Sequence, residues 1–231
     1  MTGAPYSPTQ LGIRPAPALV QQLLVGAFGW MFAGLLITAG VAFLVNMSEG
    51  LQATVRGIWF LLVIGQLGMA IGIQAALPRM SPTVALGLFF AFAATMGLTV
   101  GVITAAYRVD SVASAFLSAS AMFGAAAIYG ATTKRELAGM GGYLFMGVIG
   151  LIVASIVNML LGSGPLGFLI SIVGVILFTV LTAYDVQRIT RGDYAAQTGS
   201  MEKASVLAAL GLYINFINIF LFLLRLMGNR D

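Results

Sequence analysis

Long apolar runs separated by short polar punctuation dominate the chain. Cutting the sequence at its charges and turn residues leaves seven runs of the length, about 20 residues, that a helix needs to cross the hydrocarbon of a bilayer. They fall at residues 23–45, 57–77, 83–106, 112–131, 141–162, 166–186 and 204–227. The intervals are NMSEGLQATVR, PRMSP, YRVDS, TTKRELAGMG, the turn from Gly162 to Pro165, and QRITRGDYAAQTGSMEK. Lipid offers a backbone no hydrogen-bond partners, so each run is expected to be an α-helix. The pattern predicts an all-α integral membrane protein, a bundle of seven transmembrane helices. Residues 1–19, polar and Pro-rich, are expected to form a flexible tail, and residues 20–231 a single membrane domain.

Within the spans, the fourth is rich in Ala, Ser and Gly, a composition that suits a helix packed inside a bundle rather than one facing lipid. Gly68 with Gly72 and Gly97 with Gly101 form GxxxG pairs, which allow close approach of helix backbones. Packing within the chain is the simpler reading of both. No repeat of 20–50 residues is present, which removes solenoid and array architectures.

Composition adds to this picture mainly by exclusion. With 60% hydrophobic and 8% charged residues, the chain lies far from the soluble average of about 25% charged. There is no cysteine and no histidine, so zinc chemistry lacks its usual ligands, and the oxygen donors that remain suit hard cations. The net charge of +4 is spread singly over short loops rather than gathered in a patch, which argues against a nucleic-acid partner. Seven spans place Arg14, Arg79, Lys134, Arg135, Arg188, Arg191 and Lys203 on the N-terminal side, and Arg56, Arg108, Arg225 and Arg230 on the other. Seven basic residues against four favour a cytoplasmic N-terminus.

One acid, Asp185, is embedded in the apolar runs, in LFTVLTAYDVQRI near the end of the sixth span beside Thr182, Tyr184 and Gln187. A charge inside a span costs about 2.5–3.5 kcal/mol on insertion scales, so its presence calls for a partner, a wet cavity or a proton path. Two readings are open. Asp185 either sits at the interface paired with Arg188, three residues on, or faces the bundle as a titratable gate or ion ligand. Asn215 and Asn218, three apart in the seventh span, either glue helices together or offer neutral oxygens to an ion or a hydrogen bond to Asp185. Arg79, ending the second span, is either a snorkelling interfacial residue or a counter-charge reaching for Asp185. Arg225 reads as an interface anchor.

Taken together, GWMFAGLLITA, MFGAAAIYGATTKRELAGMG, VGVILFTVLTAYDVQRI and LYINFINIFLFLLRLMGNR resemble the Bax inhibitor-1 family in its bacterial form. YDVQ followed in order by LYxxFIN and LLRxxG is the specific combination. The resemblance implies a seven-helix bundle with a central seventh helix, located in the bacterial inner membrane. It also implies a pH-sensitive cation leak, chiefly of calcium, gated by paired aspartates on the sixth and seventh helices. The first acid of that pair falls on Asp185, and a basic latch at the end of the second helix falls on Arg79. The second acid does not carry over, because Asn215 stands in its place. Two adjacent carboxylates share a proton because both cannot readily ionise, whereas an Asp–Asn pair lacks that repulsion. The expectation is a cation leak with a blunted or acid-shifted pH response, in which Asp185 and Asn215 form the gate. Asp185 is also the candidate calcium ligand, with Asn218, Thr182 and Tyr184 as candidate pore or coordinating residues.

A second hypothesis is a non-conducting protein that modulates another membrane protein, such as a membrane-bound protease. An enzyme is not expected. Serine chemistry lacks an imidazole base, and Lys134 and Lys203 lie in loops, where neither can form a retinal Schiff base within a span. No cofactor is expected, and the expected partners are membrane lipids, the transported cation and, on the second hypothesis, another membrane protein.

Overall fold

A computed structural model describes residues 16–229, apart from the side chain of Pro78. The expected N-terminal tail falls largely on residues 1–15, outside the described residues. Seven helices are long and apolar enough to span a membrane, and no strand occurs among the described residues. They are α1 (Pro17–Asn46), α3 (Trp59–Ala76), α4 (Pro82–Thr104), α5 (Val109–Thr132), α6 (Gly141–Leu161), α7 (Gly164–Thr190) and α9 (Met201–Met227). All seven predicted runs are therefore helices. The differences lie at the ends. The first begins at Pro17, where proline suits an initial helical position, and α7 runs on to Thr190, so that Asp185 stands more than a turn before its end.

Two intervals hold short helices that the apolar pattern does not announce, α2 (Glu49–Gly57) and α8 (Asp193–Thr198). The signals for α2 are local: Ser48 accepts the Leu51 N–H at 3.2 Å as N-cap, Glu49 sits in the first turn and Arg56 in the last. Left-handed Gly192 and Gly199, φ 74° and 64°, bracket α8. Ser81 caps α4 ahead of Pro82, and Gly162, φ 63°, ends α6 at the turn read from the sequence.

The described chain divides into two compact units, residues 16–106 with 189–213, and residues 107–188 with 214–229. In the first unit, Gly97 and Gly101 bring α4 against α1: a methyl on either would lie 2.6 Å from the Cβ of Val41 or Val45. Gly68 and Gly72 meet nothing, so one GxxxG pair is a packing device and the other is not. Thr38 anchors this unit's core, with its hydroxyl 2.6 Å from that of Tyr213 and 2.9 Å from the Ala93 carbonyl. Tyr213 is fully buried, edge-on to Phe89 and Phe92. Gln66 in α3 donates to the Thr95 carbonyl and the Thr99 hydroxyl, pinning α3 to α4.

In the second unit, α5 buries a stripe of Ser111, Ala115, Ala119, Phe123, Ala126, Ala127 and Gly130, close to every fourth position. Its opposite face is open, with Leu117 and Ile128 exposed, so the small residues serve one contact face rather than a wholly enclosed helix. Gly130 lies so close to the Ala183 backbone that no side chain fits between α5 and α7. Phe116 and Phe123 set their rings edge-on to Phe216 of α9. Outward positions such as Leu61, Tyr143 and Leu160 are 70%, 79% and 80% exposed, which only a hydrocarbon surround makes tolerable. Of the seven spans α9 is the most enclosed, with 67% of its most apolar window buried.

Candidate functional site

Along α7 the buried positions Ile170, Ser171, Val175, Phe178, Thr182, Asp185 and Ile189 recur at helical spacing and form one inward stripe. Asp185 belongs to that stripe, 8% exposed, so its carboxylate does not sit on an interfacial face. From α9, Asn215, 4% exposed, donates its Nδ2 to Asp185 Oδ2 at 2.8 Å. Hydrogen bonds to a charged group are worth about 1.5–3 kcal/mol, comparable to the cost of placing the carboxylate in the span. The pair thus joins two spans through a polar contact inside an apolar surround.

The neighbouring candidates are used differently. Thr182, fully buried, donates to the Phe178 carbonyl one turn back at 2.8 Å. Asn218 donates to the Ile214 carbonyl at 2.8 Å and is half-buried. Both thus donate to their own helices, and the oxygens of both remain as acceptors. Asn215 and Asn218 share a face by spacing, but only Asn215 spends its amide on the acid. Tyr184 packs on Ala126, Leu137 and Ala183, with the Arg188 guanidinium 5.7 Å above its ring. Arg79 is exposed in a 3₁₀ turn, Leu77–Arg79, of the first unit, whereas Asp185 belongs to the second.

Gln187, two residues past Asp185, carries a role that the sequence does not announce. Its Oε1 accepts the Leu137 N–H and its Nε2 donates to the Arg135 carbonyl, each at 2.8 Å. One buried amide thereby fastens the α5–α6 connection to the helix that carries the acid. An amide in an apolar helix was the available signal, obscured by its proximity to a charged loop.

Among the described residues no three His, Cys, Asp or Glu side chains gather.

Comparison with known proteins covers nearly the whole chain. Residues 20–231 match the family model described as inhibitor of apoptosis-promoting Bax1. The inner membrane protein YbhL of Escherichia coli K12 is 41% identical over 224 residues, spanning 94% of this chain and 95% of its own length. A protein of Deinococcus radiodurans is 39% identical over 213 residues, 92% of each chain. YrjE of Lactococcus lactis is 39% identical over 217 residues, 88% of this chain and 91% of its own. With a family model that spans all seven apolar helices and bacterial relatives aligned almost end to end, the chain belongs to the Bax inhibitor-1 family, as a bacterial member.

Proposed function

We propose that this chain is a passive cation leak of the bacterial inner membrane, with calcium the main ion and the Asp185–Asn215 pair as its gate. The family is one of non-catalytic membrane proteins, and the inner-membrane location follows the relative from E. coli. The observation that carries the reading is the 2.8 Å hydrogen bond from Asn215 to a carboxylate buried within a membrane-spanning helix. Ionised, Asp185 is a fixed negative charge that attracts a cation into a region otherwise closed to it; protonated, it offers none. Asn215 supplies a donor that holds the carboxylate in place and an amide oxygen that can face an ion. Thr182, Tyr184 and Asn218 lend neutral oxygens to the path.

Because the second position is an amide, protonation of the gate involves one carboxylate rather than a shared proton. The pH response is therefore blunted or shifted to acid. The N-terminus is assigned to the cytoplasm on the distribution of basic residues. The test is calcium entry into proteoliposomes loaded with an indicator dye, comparing wild type with Asp185→Ala. Loss of entry in a correctly folded variant supports the gate. Entry through the variant equal to wild type and above that of protein-free liposomes contradicts the gate, whereas wild-type entry no greater than that of protein-free liposomes favours a non-conducting role in modulating another membrane protein.

A further inference from the structure

The opposite end of α7 holds a second polar concavity, within the second unit and remote in sequence from Asp185. It is a cavity of about 620 Å³ at the α6–α7 turn, lined by Ser155, Asn158, Met159, Ser163, Phe168 and Arg225. Three features distinguish it from a surface groove. Asn158 is 7% exposed, yet its Oδ1 has no hydrogen-bond partner. A buried acceptor left unsatisfied costs about 1–3 kcal/mol, which a ligand bearing an N–H or O–H would recover.

Next, the Arg225 guanidinium and the Asn158 amide converge on Gly167 in the first turn of α7. A methyl there would collide with Arg225 Nη2 and lie 3.1 Å from Asn158 Nδ2, so the glycine lets the guanidinium lie against the first turn of α7. Finally, the positive end of the 27-residue α7 dipole lies at this turn and reinforces Arg225 in attracting an anion.

The position selects the kind of anion. The turn joins two membrane spans and so lies at the bilayer surface. Met159 and Phe168 on the cavity wall are 59% and 55% exposed, presenting apolar surface where an acyl chain would run. We propose that the cavity binds the headgroup of a glycerophospholipid. The phosphodiester is held by Arg225 beside the positive end of the α7 dipole, and a headgroup ammonium or hydroxyl donates to Asn158 Oδ1. Phosphatidylethanolamine and phosphatidylglycerol carry such a donor; phosphatidylcholine, with its quaternary ammonium, does not.

The experiment is native mass spectrometry of the delipidated full chain, titrated separately with these three lipids and with inorganic phosphate. One phosphatidylethanolamine or phosphatidylglycerol molecule should be retained at least about tenfold more tightly than phosphatidylcholine. Arg225→Gln, at an exposed side chain, should weaken binding of the donor-bearing lipids by about tenfold or more, and Arg225→Lys by less. Asn158→Leu should abolish the preference over phosphatidylcholine. Equal retention of all three lipids, wild-type binding by Arg225→Gln, or binding of inorganic phosphate as tight as that of lipid would each overturn the proposal.

Discussion

Asn215 on α9 donates a 2.8 Å hydrogen bond to the carboxylate of Asp185 on α7, and both side chains are buried. The contact joins two membrane-spanning helices through an acid and an amide. Structural and functional consequences of the pair can be separated by substitution.

Replacing Asn215 with leucine removes one donor from a buried carboxylate without adding charge. We expect a loss of about 1–3 kcal/mol in stability, read by thermal or denaturant unfolding in detergent. Asp185→Asn keeps a hydrogen-bonding pair and should cost less than Asn215→Leu. Unchanged stability in Asn215→Leu would show that the pair does not stabilise the fold.

Gln187 makes a different prediction. Gln187→Leu strands the Leu137 N–H and the Arg135 carbonyl together, so the α5–α6 connection should loosen. Hydrogen exchange at the amides of residues 134–138 should accelerate, and stability should fall by about 1–3 kcal/mol. Unchanged protection there would contradict the clamp.

The glycines of α5 offer a paired test. Gly130→Ala forces a methyl against the rigid backbone of Ala183 and should cost about 1–3 kcal/mol or more. Gly124→Ala, six residues earlier in the same helix, meets no atom within 4 Å and should stabilise by up to about 1 kcal/mol through helix propensity. Unfolding midpoints of the two variants should therefore move in opposite directions.

In the first unit, Tyr213→Phe removes the hydroxyl 2.6 Å from that of Thr38 while retaining the ring packing against Phe89 and Phe92. Thr38 still has the Ala93 carbonyl as acceptor, so the cost should stay near 1 kcal/mol. Gly34→Ala, whose methyl would lie 2.6 Å from the Phe89 ring, should cost more, and unfolding measurements on the two would show it.

These residues also show what the sequence disclosed. The spans were legible because lipid imposes length and apolarity on each crossing, and the Asp185–Asn215 contact was among those foreseen because a charge in a span demands a partner. The short helices α2 and α8 escaped a reading based on apolar runs, since caps and turn glycines, rather than hydrophobic length, define them. Gly97 and Gly101 could not be distinguished from Gly68 and Gly72 by spacing, because only the neighbouring helix decides which glycine is needed. The clamp at Gln187 and the bond between Thr38 and Tyr213 depend on residues 50 and 175 positions apart meeting in space. Asn158 was hidden for a related reason: a single amide in an apolar helix reveals neither its burial nor its lack of a partner.

The central claim is that a single carboxylate beside an amide sets the gate's response to protons. It is tested most directly by calcium flux into proteoliposomes between pH 6 and 8 for wild type and Asn215→Asp. A second carboxylate within hydrogen-bonding distance of Asp185 would share a proton with it, so the variant should gain a steep pH dependence where the wild type is shallow. Indistinguishable, steep profiles in the two proteins would contradict the account.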